Sequence, residues 1–383
     1  MTSTVGLARE EYVLVLQGGG ALGSYQAGVY EVLAARNLTP HWVAGISIGA
    51  INAALIAGNP KDRRVDRLHA FWDTVTSSPM QWNLPFALPV QMRSALNDAN
   101  ASMGALLGLP GFFRPQIPSP QFQLPGSVGA LSYYDTEPLR VTLEHLVDFD
   151  LLNSGTTRLS VGAVNVCSGN FAYFDTARQT IDARHIMASG ALPPGFPPVE
   201  IDGQWYWDGG LVSNTPLEYV LDQPAAGRIL AFQVDLFVAE GPMPRNLMQV
   251  AEREKDIRFS SRTRLNTTTA IDRHALARAA HRMRAKVPTD LIEGSDVQAL
   301  RAADRGTGFT VVHLIHRRKH YETQSKDYEF SRASMLEHWE AGRSDMAHTL
   351  DRPEWRERIA SGDGVQVFDL TTANPHHGKR LPE

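Results

Sequence analysis

A single cysteine, Cys167, stands among 383 residues. No intrachain disulfide framework can form, and a four-cysteine zinc site is excluded. One thiol fits a reducing compartment, and Cys167, in or beside an apolar run, reads as buried and inert. A run apolar enough to span a bilayer is missing as well. The longest apolar stretch, Trp42 to Gly58, is broken by Ser47 and Asn52 and falls short of the ~20 residues that a spanning helix needs. The start of the chain carries Arg9, Glu10 and Glu11 and lacks an apolar segment followed by a small-residue cleavage site, so no secretory signal is read. Nor does one sign of charge dominate. There are 37 Lys+Arg against 41 Asp+Glu, a net of -4, which excludes a uniformly basic nucleic-acid binder. These absences predict a cytoplasmic enzyme that meets a membrane only at its surface, with no nucleic-acid partner.

What is present is the composition of a globular chain, with 43% hydrophobic and 20% charged residues. The length suffices to bury a core without disulfide or metal staples. Charge is unevenly spread. Residues 1–240 hold 13 basic and 21 acidic residues, a net of -8, whereas residues 241–383 hold 24 and 20, a net of +4. The sign changes at Gly241-Pro242, where a domain boundary is expected.

The N-terminal part reads as alternating strands and helices. Tyr12 to Leu16 is a short apolar run and thus a buried strand. After the glycine-rich stretch, Tyr25, Val29, Val32 and Leu33 recur at helical spacing. Trp42 to Ile46 reads as the next strand and Ile48 to Ala57 as the next helix. Strand, loop, helix, strand, sharp turn, helix is the opening of an α/β domain with parallel strands. Between Pro79 and Pro125 lie eight prolines interleaved with aromatics. That density predicts no long regular element, and the region 76–130 reads either as a packed irregular loop or as an apolar cap beside a greasy site. Past the boundary, residues 245–286 carry 11 basic residues against four acids, with apolar positions that suggest two helices of one apolar face each. Phe309 to His316 reads as a strand added to the edge of the main sheet.

Three segments carry chemistry. Gly45-Ile46-Ser47-Ile48-Gly49 fits G-x-S-x-G between a strand and a helix. Ser47 would sit at a strained turn, with Gly45 and Gly49 removing side chains that would collide. The alternative is an ordinary tight turn. The stretch Gly18, Gly19, Gly20, Ala21, Leu22, Gly23 lies at another strand-to-helix junction. It satisfies G-x-G-x-x-G, yet the second strand leads to Ser47 where a dinucleotide fold would have Asp or Glu. It also lacks the Gly-Lys-Ser/Thr of a phosphate-binding P-loop. The remaining reading is a set of backbone N–H donors for an oxyanion. Asp208, followed by Gly209 and Gly210, ends an aromatic strand and is either a base for Ser47 or a plain Asp-Gly turn. A Ser-His-Asp arrangement drawing on His185, His313, His316 or His320 competes with it.

Taken jointly, in this order and spacing, the segments resemble the patatin-like phospholipase family over residues 12 to about 236. Ala188 to Pro198 also looks like the family's stretch before its Asp. The resemblance implies a three-layer α/β/α fold with a mainly parallel central sheet, carried by residues 1–240, and a mostly helical extension of unknown role over residues 241–383. It implies a carboxylic ester hydrolase of phospholipase or lysophospholipase type that cleaves lipid esters. Ser47 would be the nucleophile, Asp208 the base and Gly18 to Gly23 the oxyanion loop, with no metal or organic cofactor. Leu22 stands where the family often has Arg. Transfer of the acyl group to another acceptor, or a membrane-binding role with a vestigial hydrolase domain, are the alternatives. A homo-oligomer is compatible with all of them.

Overall fold

The computed structural model describes residues 10–78, 89–223, 228–284, 309–317, 321–354 and 365–369. Its centre is a sheet whose first strand, β1 (Glu10–Leu16), is flanked by β2 (Trp42–Gly45) and β9 (Arg228–Asp235), both parallel to it. Beyond β2 come β5 (Arg158–Asn165), then β8 (Gln204–Asp208) and β7 (Val199–Ile201). Strand β6 (Phe171–Asp175) and β8 both run antiparallel to β5. On the other edge β10 (Phe309–Ile315) adds to β9 and β11 (Val365–Asp369) adds to β10, all parallel. A separate two-stranded ribbon pairs β3 (Arg114–Pro115) with β4 (Tyr134–Asp135).

Burial on both faces explains why the central strands are apolar throughout. Leu14 and Leu16 of β1 point into one core layer with α1 (Ser24–Ala35), α2 (Ile48–Ala57) and α3 (Arg64–Val75). Val13 and Val15 point into the other, with Leu217 and Val220 of α8 (Leu217–Asp222). The first layer also takes up α5 (Glu137–Leu146), the short α6 (Phe149–Asn153), α7 (Ala183–Ser189) and the last long helix, α10 (Arg332–Asp351). This is the α/β fold expected, a mostly parallel sheet with helices on both sides and a helical C-terminal region.

Several expectations need correction. The proline-rich region contains an 18-residue helix, α4 (Val90–Leu107). The prolines bracket it, with Pro89 at its N-cap and Pro110 beyond its end, so their number bore on the flanks and not on the interval between them. The two helices expected over 245–286 are one helix, α9 (Leu247–Arg284). Most apolar residues described on it face outward: Leu247, Val250, Ile257, Leu276 and Met283 are exposed, whereas Glu252, Asp256 and Ser260 are buried and Phe259 packs against the core. The reversal follows from Lys326, which is buried beneath the helix and pairs with Asp256 at 2.6 Å. Arg273 of α9 pairs with Glu218 and Asp222 of α8, so part of the basic segment faces the acidic half of the chain. Cys167 is exposed, because it sits in the β5–β6 turn, where Asn165 Oδ1 accepts from its backbone N–H. His320 lies outside the described residues. No helix among the described residues is long and apolar enough to cross a membrane.

Helix α10 closes the fold by lying against α1 at backbone distance. A Cβ on Gly28 would come within 1.9 Å of the Trp339 carbonyl, and one on Gly342 within 2.0 Å of the Tyr25 carbonyl. Helix propensity alone would make Gly→Ala stabilising by up to ~1 kcal/mol. Here steric overlap between backbones decides, so Gly28→Ala and Gly342→Ala should each lower stability by about 1–3 kcal/mol. Urea unfolding checks this, and a gain in stability for either variant would contradict the packing described.

Candidate active site

Ser47 occupies the turn between β2 and α2 with φ 55 and ψ -122. This left-handed conformation costs a non-glycine residue on the order of 1–3 kcal/mol and persists only where the surroundings enforce it. They do so by close approach. A Cβ at Gly45 would meet the Gly49 carbonyl at 2.2 Å, and one at Gly49 would meet the Leu16 carbonyl at 2.4 Å. All ten residues of α2 are buried, so the helix cannot yield. The Ser47 N–H donates to Ser189 Oγ at 3.0 Å, and Ser189 donates in turn to the Gly162 carbonyl at 2.7 Å.

Asp208 ends β8 opposite Ala163 of β5 and is 2% exposed. Its Oδ1 accepts from the Gly210 N–H at 2.7 Å, and the Ser47 side chain lies near enough to the carboxylate to act on its titration. Burial pushes its pKa up to about 6, against the opposing pull of Ser47 and of the Gly210 N–H. A Cβ at Gly209 would come within 2.6 Å of the Gly162 carbonyl, so β8 can reach this position only with glycine there. At Gly210 it would stand 3.1 Å from the Asp208 carboxylate.

The glycine stretch after β1 forms one 3-10 turn, Gly20–Gly23, leading into α1. Its amides divide into two groups. Gly18 N–H donates to the Asn214 carbonyl, Ala21 N–H to the Asp327 carbonyl at 2.8 Å, and Leu22 N–H to the Gly19 carbonyl. The Gly19 and Gly20 amides have no partner among the described residues. Six residues were expected to form an oxyanion loop; three of these amides are turned to internal bonds. Gly20 has φ +54, and its Cβ would fall 1.9 Å from the Asp327 carbonyl. Gly23 lies against Ile48, 2.5 Å from where a Cβ would be, and so brings the loop onto the serine helix. The Leu22 side chain is buried in the core, where an arginine would leave an unpaired charge.

Behind the loop stands a buried amide network that the motifs do not reveal. Gln17 Oε1 accepts from the Leu236 and Phe237 N–H groups. Gln26 donates to the Gln17 carbonyl at 2.7 Å, Asn52 donates to the Gly23 carbonyl and to Gln26, and Trp72 donates to Asn52. Asn214 donates to the Gly18 carbonyl at 2.9 Å; it serves the loop and does not cap α8, whose N-cap is Pro216. Gln17 and Asn52 are polar residues inside apolar runs, and that incongruity was the available signal. Nothing in the sequence marked Asp327.

Ser47, Asp208 and the loop glycines Gly18, Gly19 and Gly20 open on one cavity of about 360 Å³. Ile48 and Ile51 of α2, Phe112, Phe113, Tyr134 and Phe196 give it an apolar wall, and Phe237, Phe259, Tyr328 and Phe330 close it from the C-terminal side. Rings of Phe113, Tyr134 and Phe196 pack at 4.6–6.1 Å. The proline-rich region thus contributes Phe112 and Phe113 to the wall, as a cap would. Tyr134 lines it, whereas its neighbour Tyr133 does not. No histidine among the described residues lines it. His185 is held in the capping box of α7. His313 is buried within β10, which drives its pKa down to about 4, and His316 is buried at the end of that strand near Glu322.

A family model described as Patatin-like phospholipase matches residues 14–221. A second, described as Patatin phospholipase, matches residues 257–362. No curated protein matches the chain. Among solved structures, VipD from Legionella pneumophila is similar at 15% identity with a TM-score of 0.34, over 89% of this chain and 70% of that one.

The buried carboxylate has a consequence for stability. Its folded-state pKa of about 6 lies above the ordinary carboxylate value, so the protonated form favours the fold. Stability from this residue is fully present below pH ~4 and is lost as pH rises through ~6. Asp208→Asn removes that loss. Thermal or urea unfolding should find the variant more stable than wild type at pH 8 by about 2–3 kcal/mol, with the gap closing near pH 4. Equal gaps at both pH values would refute the assignment.

Proposed function

Because the chain belongs to the patatin-like phospholipase family, we propose that it is a serine acyl hydrolase cleaving the carboxylic esters of lipids, with Ser47 and Asp208 as its dyad. The observation that carries this reading is that Ser47 and a buried carboxylate, Asp208, line one apolar cavity beside two loop amides without a partner among the described residues. An ionised Asp208 takes the Ser47 proton as Oγ attacks the ester carbonyl. A pKa raised to about 6 leaves it charged at neutral pH while making it a stronger base than an ordinary aspartate. Gly19 and Gly20 donate to the oxyanion of the tetrahedral intermediate. Collapse expels the alcohol, which leaves with the proton from Asp208. Water then attacks the acyl-Ser47 ester, giving its proton to Asp208, and the acid departs as Ser47 recovers a proton. The aromatic and aliphatic walls suit the acyl chain. On this reading residues 1–240 carry the chemistry, and Phe259, Tyr328 and Phe330 lend one wall from the region beyond.

Labelling with a fluorophosphonate probe tests the nucleophile. Wild type should label, whereas Ser47→Ala should not, and equal labelling of the two would reject the proposal. Hydrolysis of acyl esters should fall by a factor of 10³ or more in Asp208→Asn, on the order seen when a catalytic base is lost, and should persist in His313→Ala. Because the base must be deprotonated, kcat/KM should drop about tenfold per pH unit below ~6; a flat profile from pH 7 to pH 4.5 would exclude Asp208 as the base. Gly20→Ala should lose roughly 10²–10³ in kcat through displacement of a donor.

A further inference from the structure

Away from the cavity, His316, Glu322 and His338 meet in the interior from three separate pieces of chain: the end of β10, the segment after it, and the second turn of α10. We propose that these three side chains bind one divalent transition-metal cation, Zn²⁺ by preference, in a structural site that ties the segment bearing Asp327, Tyr328 and Phe330 to the sheet and to α10. One donor atom from each residue lies within 4.8 Å of the others. Glu322 Oε1 is 3.1 Å from His338 Nε2 and 3.5 Å from His316 Nε2. Ligands at about 2.05 Å from a tetrahedral zinc stand roughly 3.3 Å apart; the two distances from Glu322 match that edge, and the two imidazole donors, within 4.8 Å of each other, would draw together around one ion.

The three residues are 2%, 4% and 3% exposed. Neither ring nitrogen of His316 makes a hydrogen bond, and Nδ1 of His338 makes none. Buried polar atoms are ordinarily satisfied, and a metal supplies what His316 lacks. Two imidazoles and one carboxylate are borderline donors that suit zinc and its neighbours over calcium or magnesium. A fourth position is left for water. The nearby cation, Lys326, is committed to Asp256 at 2.6 Å, with Glu252 at 3.9 Å, so its charge is already answered. The site is separate from the dyad, and its effect there is mechanical. Glu322 opens the segment whose Asp327 carbonyl accepts the Ala21 N–H of the glycine loop and whose Tyr328 and Phe330 line the cavity.

The test uses the full chain. Elemental analysis after exhaustive dialysis should find about one Zn²⁺ per chain. The adjacent His376 and His377 of the C-terminal tail are a source of adventitious binding, so His376→Ala/His377→Ala should retain that equivalent. Chelator-stripped wild type should show a lower Tm, restored by Zn²⁺. Its Co²⁺ form should show the visible d–d absorption of a low-symmetry nitrogen and oxygen site. His316→Ala and Glu322→Gln should lose both the metal and the Tm response. Because either substitution could unfold the chain, the wild-type measurements stand alone: stripped wild type whose Tm ignores Zn²⁺, Co²⁺ and Ni²⁺ overturns the proposal, as does metal that disappears with His376 and His377.

Discussion

A carboxylate buried without a cation beside it is the constraint around which the rest of the site is arranged. Asp208 is held by the Gly210 backbone N–H and faces Ser47, and no lysine, arginine or histidine among the described residues lines the cavity it faces. Such a group is stable only where the fold over-determines its position. Glycines at 209 and 210 let β8 bring it that close, and the pairing of β8 with β5 fixes its height above the sheet. The raised pKa is the chemical result of burying the charge, and it suits the role of base proposed for this residue.

The second element of the site, the glycine loop, depends on what stands behind it. The chain of Gln17, Gln26, Asn52 and Trp72 ties the loop to α2, so the loop amides and Ser47 are positioned by one network. The Asn214 bonds tie the same loop to the stretch that follows Asp208. From the opposite side, the Asp327 carbonyl occupies the Ala21 N–H. The free donors are therefore defined by subtraction, and the C-terminal region takes part in it. That region also extends the sheet through β10 and β11 and covers α1 with α10, so it is built into the same core as the site.

Much of the fold was legible in the residues. The apolar run at Tyr12 to Leu16, the periodicity of Tyr25, Val29 and Leu33, and the Gly-x-Ser-x-Gly turn each gave an element close to where it lies, because each reports a local preference of backbone or face. The strand expected at Phe309 was likewise found beyond β9, although β11 pairs on its other side and makes it interior to the sheet. Errors arose where a local signal was outweighed by a distant partner. Eight prolines hid α4, since they lie at its ends. Exposed apolar residues on α9 misled because the buried face of that helix is polar, matched to Lys326 some 70 residues away. Cys167 stood beside an apolar strand but fell in the turn that follows it.

What the sequence determined by itself is where the backbone must be special. Gly45, Gly49, Gly20 and Gly209 are demanded by sterics within a few ångströms, and such demands leave their mark as residue type. What only the tertiary structure decided is which groups face one another. Ser47 and Asp208 are 161 positions apart in a chain of 383 residues, and no composition or spacing states that this aspartate, and no histidine, would reach this serine. Nor could it state that Gly19 and Gly20 would be left without a partner among the described residues while Gly18 and Ala21 are bonded, because that depends on carbonyls of Asn214 and Asp327, brought in from distant parts of the chain. Hydrogen bonds are short in space and indifferent to sequence separation, so the site's chemistry was settled only when the sheet and α10 brought those segments together.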